Sequence, residues 1–220
     1  MFTAMDIETA PNADMIPHLP EPDAKTGNIK DPDKIAAKIE EAKAAQVERM
    51  ALDPMFGRII SVSFVCAEHR ETRLVADMTD AAERDLLHWS LGVMALPEIR
   101  LVTWNGNGFD LPFLFKRCLC LGINPGHLGV APLPAWTKRY DCERHIDLMK
   151  VFAGWGGGDY AKLDTVAGVV LGEKKDEIDV TKFAEMITTE EGREKIKTYN
   201  ERDTALTFSL FERMQGVLFV

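Results

Sequence analysis

The chain has 220 residues, of which 46% are hydrophobic and 28% charged, and it carries a formal net charge of −9. A globule of this length buries roughly 70% of its unfolded surface, so it needs no disulfide staples. The acidic balance excludes a broadly basic nucleic-acid coat protein, but it leaves room for an acidic site that grips phosphates through cations.

Met1 to Ile7 is a short apolar run with strand-compatible residues, and it ends at acidic residues before Pro11. Asn12 to Asp31 is polar and rich in proline and reads as loop. Asp31-Pro32 is a helix start, a capping side chain followed by proline at the first helical position. Pro32 to Leu52 is rich in Ala, Glu and Lys with only a weak apolar stripe, so a mostly solvated helix is expected, closed by Asp53-Pro54. Residues 12–56 thus form a loop-and-helix insertion in a single domain covering residues 1–220. Arg58 to Val65 and Thr72 to Ala76 read as strands. Asp80 to Leu96 has helical periodicity that Pro97 closes. Arg100 to Trp104 is a further strand, followed by the glycine-rich turn Asn105 to Gly108 and a helix from Leu111 to Leu121. Glu143 to Val151 reads as a strand, Gly154 to Gly158 as a loop, and Leu163 to Leu171 as a short helix. Thr189 to Gln215 is a long amphipathic helix with Ile196, Tyr199, Asp203, Leu206 and Leu210 on one stripe. A strand meander followed by alternating helices and strands predicts an α/β fold, a mixed central sheet flanked by helices.

The cysteines, Cys66, Cys118, Cys120 and Cys142, have no C-x-x-C spacing and are expected to be buried reduced thiols. No signal-peptide pattern opens the chain and no run of about 18 apolar residues occurs. A soluble cytoplasmic protein with no membrane partner is expected.

Asp6 and Glu8 lie two apart on the first strand, so their side chains point the same way. Paired carboxylates repel each other unless cations neutralise them. With 35 acidic residues in the chain, a D-x-E pair arises by chance, and Asp141-Cys142-Glu143 is a second copy. Asp110 follows the turn Asn105-Gly106-Asn107-Gly108-Phe109, where it could equally cap the following helix. Tyr199 and Asp203, four apart, stack on one face of the last helix. An aspartate on an apolar face is costly unless it is paired or bound to metal. Tyr160 and Asp164 repeat the spacing, but Asp164 begins a helix and is expected as its N-cap. Glu143, His145 and Asp147 share a strand face that would also suit a metal.

D-x-E on a first strand, N-x-x-x-F-D after a later one and Y-x-x-x-D near the end occur here in that order. Together they resemble the DEDD exonuclease superfamily in its tyrosine-bearing branch. Thr103-Trp104-Asn105, Phe109-Asp110-Leu111-Pro112 and His145-Ile146-Asp147-Leu148 are similar to the proofreading exonuclease domains of family B DNA polymerases. The resemblance extends over nearly the whole chain and is strongest to stand-alone relatives from phages and bacteria. It implies a ribonuclease-H-like fold, two Mg²⁺ or Mn²⁺ ions, and 3′→5′ hydrolysis of DNA, single-stranded in preference, in replication or proofreading. By motif position Asp6 bridges both ions, Glu8 and Asp203 complete the first, and Asp110 anchors the second. Tyr199 orients the attacking water. The implied partners are DNA 3′ ends and a polymerase or replication complex, in a bacterial or phage-infected cytoplasm. Trp104, Asn105, Phe109, Trp155, His145, Lys174 and Lys175 are candidate substrate contacts, each with a bland alternative as core or solvated loop. Two rival readings are an exoribonuclease of the same superfamily and a catalytically silent accessory module.

Overall fold

The computed structural model describes residues 1–27, 29–156, 160–174 and 177–219. Five strands form one sheet in the order β3-β2-β1-β4-β5. β1 (Phe2–Pro11) pairs antiparallel with β2 (Gly57–Val65), which pairs antiparallel with β3 (Arg70–Leu74). On the other side β1 runs parallel to β4 (Arg100–Thr103), and β4 runs parallel to β5 (His145–Asp147). The helices are α1 (Pro32–Arg49), α2 (Asp80–Met94), α3 (Asp110–Cys120), α4 (Leu148–Phe152), α5 (Leu163–Val170), α6 (Phe183–Met186) and α7 (Glu190–Met214). This is the mixed, helix-flanked sheet of the ribonuclease-H-like fold, with a helix inserted after the first strand.

Side chains alternate across a strand, and β1 divides accordingly. Met5 and Ile7 enter a core with Leu87 and Leu91 of α2 and Leu111 and Leu114 of α3. Ala4 joins the opposite core with Val102, Ile146, Leu148, Leu206 and Leu210. Each fully buried Leu contributes about 1.5–3 kcal/mol, so both layers press on the strand that carries Asp6 and Glu8. β2 is buried along its whole length.

The structure departs from the sequence reading at several points. β1 is longer than expected: a register shift between Glu8 and Thr9 lets Thr9, Ala10 and Pro11 continue pairing with β2, so the two acids lie within the strand rather than at its end. β5 stops at Asp147 because the Asp147 carboxylate accepts from the Lys150 backbone N–H, and the apolar residues that follow coil into α4. Asp164 is not an N-cap: α5 begins at Leu163 with Lys162 in the cap position. Asp110 likewise stands at the first position of α3, not at its cap, which is Phe109. The cysteines also divide, Cys66 and Cys118 being buried and Cys142 half-buried, while Cys120 is exposed.

A buried ion group braces the segment before β2. Glu83 and Arg58 are both wholly buried; Glu83 accepts from Arg117 Nε at 2.8 Å, Arg117 Nη2 at 2.7 Å and the Ile59 N–H at 3.0 Å. Arg117 Nη1 donates to the Pro54 carbonyl at 3.0 Å, which ties α3 to the turn behind Ala51 and Leu52. α1 has its cap, Asp31, accepting from the Asp33 N–H, and it contains no buried residue.

Candidate active site

β1 outruns β4. Their pairing ends at Ala4 and Val102, so the backbone of β1 beyond that point lacks a neighbouring strand on one side. The chain leaving β4 turns away through Asn105–Phe109 and brings Asp110 back against the vacated edge, where its carboxylate accepts from the Ile7 N–H at 3.3 Å. From the sheet face α7 lies across the same point. Donor atoms of Asp6, Glu8 and Asp203 come within 4.8 Å of one another. The cleft above them has a volume of about 280 Å³, and Asp110, Tyr199, Trp104, Asn105 and Phe109 also line it.

The acids differ in setting. Asp6 and Glu8 are half-buried, whereas Asp110 and Asp203 are each 3% exposed. Burial pushes the Asp110 carboxyl up to about 7 and the nearby Asp147 charge adds to the rise, against the pull of its own N–H and that of Ile7. A carboxylate so placed resists ionising until a positive charge arrives. Among the described residues the acidic cluster comprises Asp6, Glu8 and Asp203, with Asp110 on the facing wall of the cleft.

Two polar residues that the sequence reading missed hold this floor. Asn200 is fully buried and donates from Nδ2 to Asp6 Oδ2 at 2.7 Å, while its Oδ1 accepts from the Ser61 hydroxyl at 2.9 Å. Ser61 is the register partner of Glu8 across β1 and β2. The relay Ser61–Asn200–Asp6 therefore fixes which way the Asp6 carboxylate turns. Its signal was present: Asn200 occupies the same stripe of α7 as Ile196 and Asp203, a buried polar position that demands a partner.

The turn carrying Asn105 and Asp110 is anchored twice. Asp147, 1% exposed, accepts from the Asn105 N–H at 3.2 Å through Oδ1 and from the Asn107 N–H at 3.0 Å through Oδ2. Thr103 Oγ1 accepts from the Gly106 N–H at 2.9 Å. His145 Nδ1 faces the Trp136 carbonyl at 2.8 Å and must donate to it. Nε2 is then an acceptor, so the Thr103 hydroxyl donates to it at 2.8 Å. Burial holds the His145 pKa below its ordinary 6.5 and keeps the ring neutral. A Cβ on Gly106 would sit 2.1 Å from Thr103 Oγ1, which is why the turn needs glycine there. Asn105 adopts φ 71°, a left-handed conformation that asparagine tolerates.

His145 is 4% exposed with both ring nitrogens engaged, so of the two roles the sequence leaves open, core and substrate contact, its hydrogen bonds support the buried brace. Glu143 lies exposed outside β5, so Glu143, His145 and Asp147 do not assemble as a metal site. Trp104, Asn105 and Phe109 reach the cleft, whereas Trp155 packs on Tyr140 with ring centroids 5.2 Å apart. Lys174 is exposed, with its carbonyl 3.5 Å from Arg202 Nη2, and it does not line the cleft; Lys175 lies outside the described residues. Tyr199 is 6% exposed and meets Phe183 edge-on at 5.9 Å, one turn before Asp203.

Residues 51–218 match the model of a family described as "Predicted 3'-5' exonuclease related to the exonuclease domain of PolB". The chain belongs to this family. The match contains Asp110, Tyr199 and Asp203 and begins after β1, which carries Asp6 and Glu8. Curated relatives include DNA polymerase 1 of Saccharolobus solfataricus, 32% identical over 119 residues that make up 50% of this chain and 13% of that polymerase. The DNA polymerase of Thermococcus litoralis is 27% identical over 173 residues, 70% of this chain and 10% of that protein. The chain therefore spans a small part of the polymerases it matches. Among solved structures, the family B DNA polymerase from Pyrobaculum calidifontis aligns with 97% of this chain and 24% of its own, with a TM-score of 0.65 at 18% identity. That likeness concerns the fold.

Proposed function

We propose that this chain is a divalent-cation-dependent 3′→5′ exonuclease that removes nucleotides from DNA 3′ ends, single strands in preference. The observation that carries the reading is the meeting of Asp6, Glu8 and Asp203 within 4.8 Å in a cleft that Asp110 and Tyr199 share. The all-oxygen donor set suits Mg²⁺ or Mn²⁺ and disfavours zinc. The buried Asp110 carboxyl, raised to about 7, is a second mark of a place prepared for positive charge. Asp6, Glu8 and Asp203 would hold one cation and Asp110, with Asp6, a second; when bound, such a pair supplies an activated water and neutralises charge developing on the leaving oxygen.

The chain's own residues do the positioning. Asn200 and Ser61 hold Asp6 in one orientation, and the Asp147 and Thr103–His145 anchors hold the turn that presents Asn105 and Asp110. Tyr199 orients the attacking water through its hydroxyl; a phenol with a pKa near 10 is a poor general base at neutral pH. Trp104 and Phe109 offer stacking surface to the terminal bases. All of this falls within one domain over residues 1–220, with residues 12–56 as an insertion. A role in replication or proofreading, beside a polymerase in the cytoplasm, is supported by the polymerase relatives and by β1, α3 and α7 bearing the motif residues in order. No helix among the described residues is long and apolar enough to cross a membrane.

A 5′-labelled single strand should shorten as a ladder from its 3′ end with Mg²⁺ or Mn²⁺, and not with EDTA. Activity that survives EDTA, or cleavage of a circular strand, would overturn the proposal. A matched RNA oligomer in the same assay separates the exoribonuclease reading, and inertness toward both polymers would favour a silent binding module.

A further inference from the structure

Three residues other than glycine adopt a left-handed backbone among the described residues: Asn105, Tyr140 and Trp155. The first serves the cleft. The other two are bulky aromatics, for which φ values of 65° and 58° are strained. Their rings lie 5.2 Å apart, and Arg139 joins them, its guanidinium 4.7 Å over the Tyr140 ring and its Nη2 donating to the Trp155 carbonyl at 2.8 Å. Tyr140 is 63% exposed, so core packing does not account for a ring held in this strained place.

This cluster meets the cleft wall through α4: the Trp155 N–H donates to the Lys150 carbonyl at 2.8 Å, and Trp155 and Trp104 pack against the same core layer. Trp104, on the cleft wall, packs against Phe152 at 6.4 Å and donates from its indole N–H to the Ala161 carbonyl at 3.2 Å. Phe152 and Tyr160 are each 43% exposed, and Lys150 Nζ stands 3.8 Å from the centroid of the Tyr160 ring. Aromatic faces and the cations Lys150 and Arg139 thus gather around α4 beside the cleft wall, on a protein whose net charge is −9. Rings that accept any base face, together with cations for the backbone, are what single strands require; a duplex hides its base faces.

We propose that this surface is a stacking track for single-stranded DNA, with Tyr140, Trp155 and Arg139 holding nucleotides upstream of the 3′ end in the cleft. The track rests on the exonuclease reading of that cleft, and DNA is the polymer because the curated relatives are DNA polymerases. Trp155 is on this view a remote contact, away from the reacting end.

The test compares oligo-dT of 4 and 20 nucleotides with wild type, Tyr140→Ala, Tyr140→Phe and Arg139→Ala. In Tyr140→Ala the ratio of kcat/KM for the long strand to that for the short one should fall about tenfold, as expected for one lost stacking contact. The loss should lie in KM, and Tyr140→Phe should restore the ratio. Arg139→Ala should flatten the salt dependence of KM for the long strand. An unchanged ratio in Tyr140→Ala, or an equal loss for both lengths, would overturn the track, the latter marking a merely structural loop. If wild type degrades neither strand, fluorescence anisotropy in EDTA keeps the two readings apart. Binding of the 20-mer that Tyr140→Ala weakens would support the track without the nuclease, and no such binding would overturn both. Tighter binding of an RNA 20-mer, or a dimer in sedimentation that Tyr140→Ala dissociates, would overturn DNA as the occupant.

Discussion

α1 and α7 are both capped helices, yet they stand at opposite ends of a scale. α1 follows Asp31-Pro32, is rich in good helix formers, and buries none of its residues. α7 contains residues that suit a helix less well and buries Ile196, Tyr199, Leu206 and Leu210 together with Asn200, Asp203, Thr204 and Thr207. Local propensity builds the first; packing builds the second. Polar groups buried on α7 would each cost about 1–3 kcal/mol if unsatisfied, and Asn200 is satisfied only by reaching Ser61 and Asp6. A helix that tolerates such residues on its inner face does so for the cleft, whereas α1 adds only the turn after it, where Ala51 and Leu52 line the wall.

The largest effect should come from Asp203→Asn, which keeps the shape of the α7 stripe and removes one charge from the donor cluster. Turnover on a labelled strand should fall more than about 100-fold, beyond the range for residues that merely orient ligands. The cation-free fold should keep its stability or gain some as carboxylate repulsion is relieved. Asp164→Asn, on the exposed copy of the motif, should leave the rate near wild type; the reverse order would show that the wrong copy was chosen. Next comes Asn200→Ala. Loss of the Asp6 brace should lower kcat/KM about 10- to 100-fold, and near-normal kinetics would reduce Asn200 to a packing residue.

A smaller effect follows from His145. Its folded pKa lies below its ordinary value because burial disfavours the charged ring, so the unfolded chain binds its proton more readily. Stability contributed by the neutral ring is present above pH 6.5 and is lost as pH falls through the depressed folded value, with a limiting slope of about 1.4 kcal/mol per pH unit. Denaturant midpoints from pH 7.5 down to 5 should fall more steeply for wild type than for His145→Gln. Equal slopes would show that the brace does not titrate. The smallest effect belongs to α1: Ala37→Gly, at an exposed helix position, should cost at most about 1 kcal/mol and leave the rate alone. A large loss of rate would give α1 a part in the cleft that its exposure does not suggest.

The motif residues were legible because chemistry forces their spacing: period two for Asp6 and Glu8, one helical turn for Tyr199 and Asp203. What could not be read was everything that depends on neighbours distant in the chain. Ser61 and Asn200 meet across 139 positions, and no local pattern marks a serine in a buried strand as a brace. Residues 148–151 looked like strand because Leu148, Met149 and Val151 continue the apolar run of β5, which periodicity alone cannot divide between strand and short helix. The helix wins once the Asp147 carboxylate caps the Lys150 N–H and also takes those of Asn105 and Asn107. His145 read as a site residue because nothing in the sequence shows that Thr103 and the Trp136 carbonyl occupy both its nitrogens.

The most direct measurement of the central claim is calorimetric titration of Mn²⁺ into wild type, Asp6→Ala and Asp203→Asn, each checked for folding by circular dichroism. Wild type should bind two equivalents, Asp203→Asn should weaken one of them, and Asp6→Ala should lose high-affinity binding of both. Unchanged Mn²⁺ binding by a folded Asp6→Ala protein would contradict the assignment of these carboxylates to a metal centre.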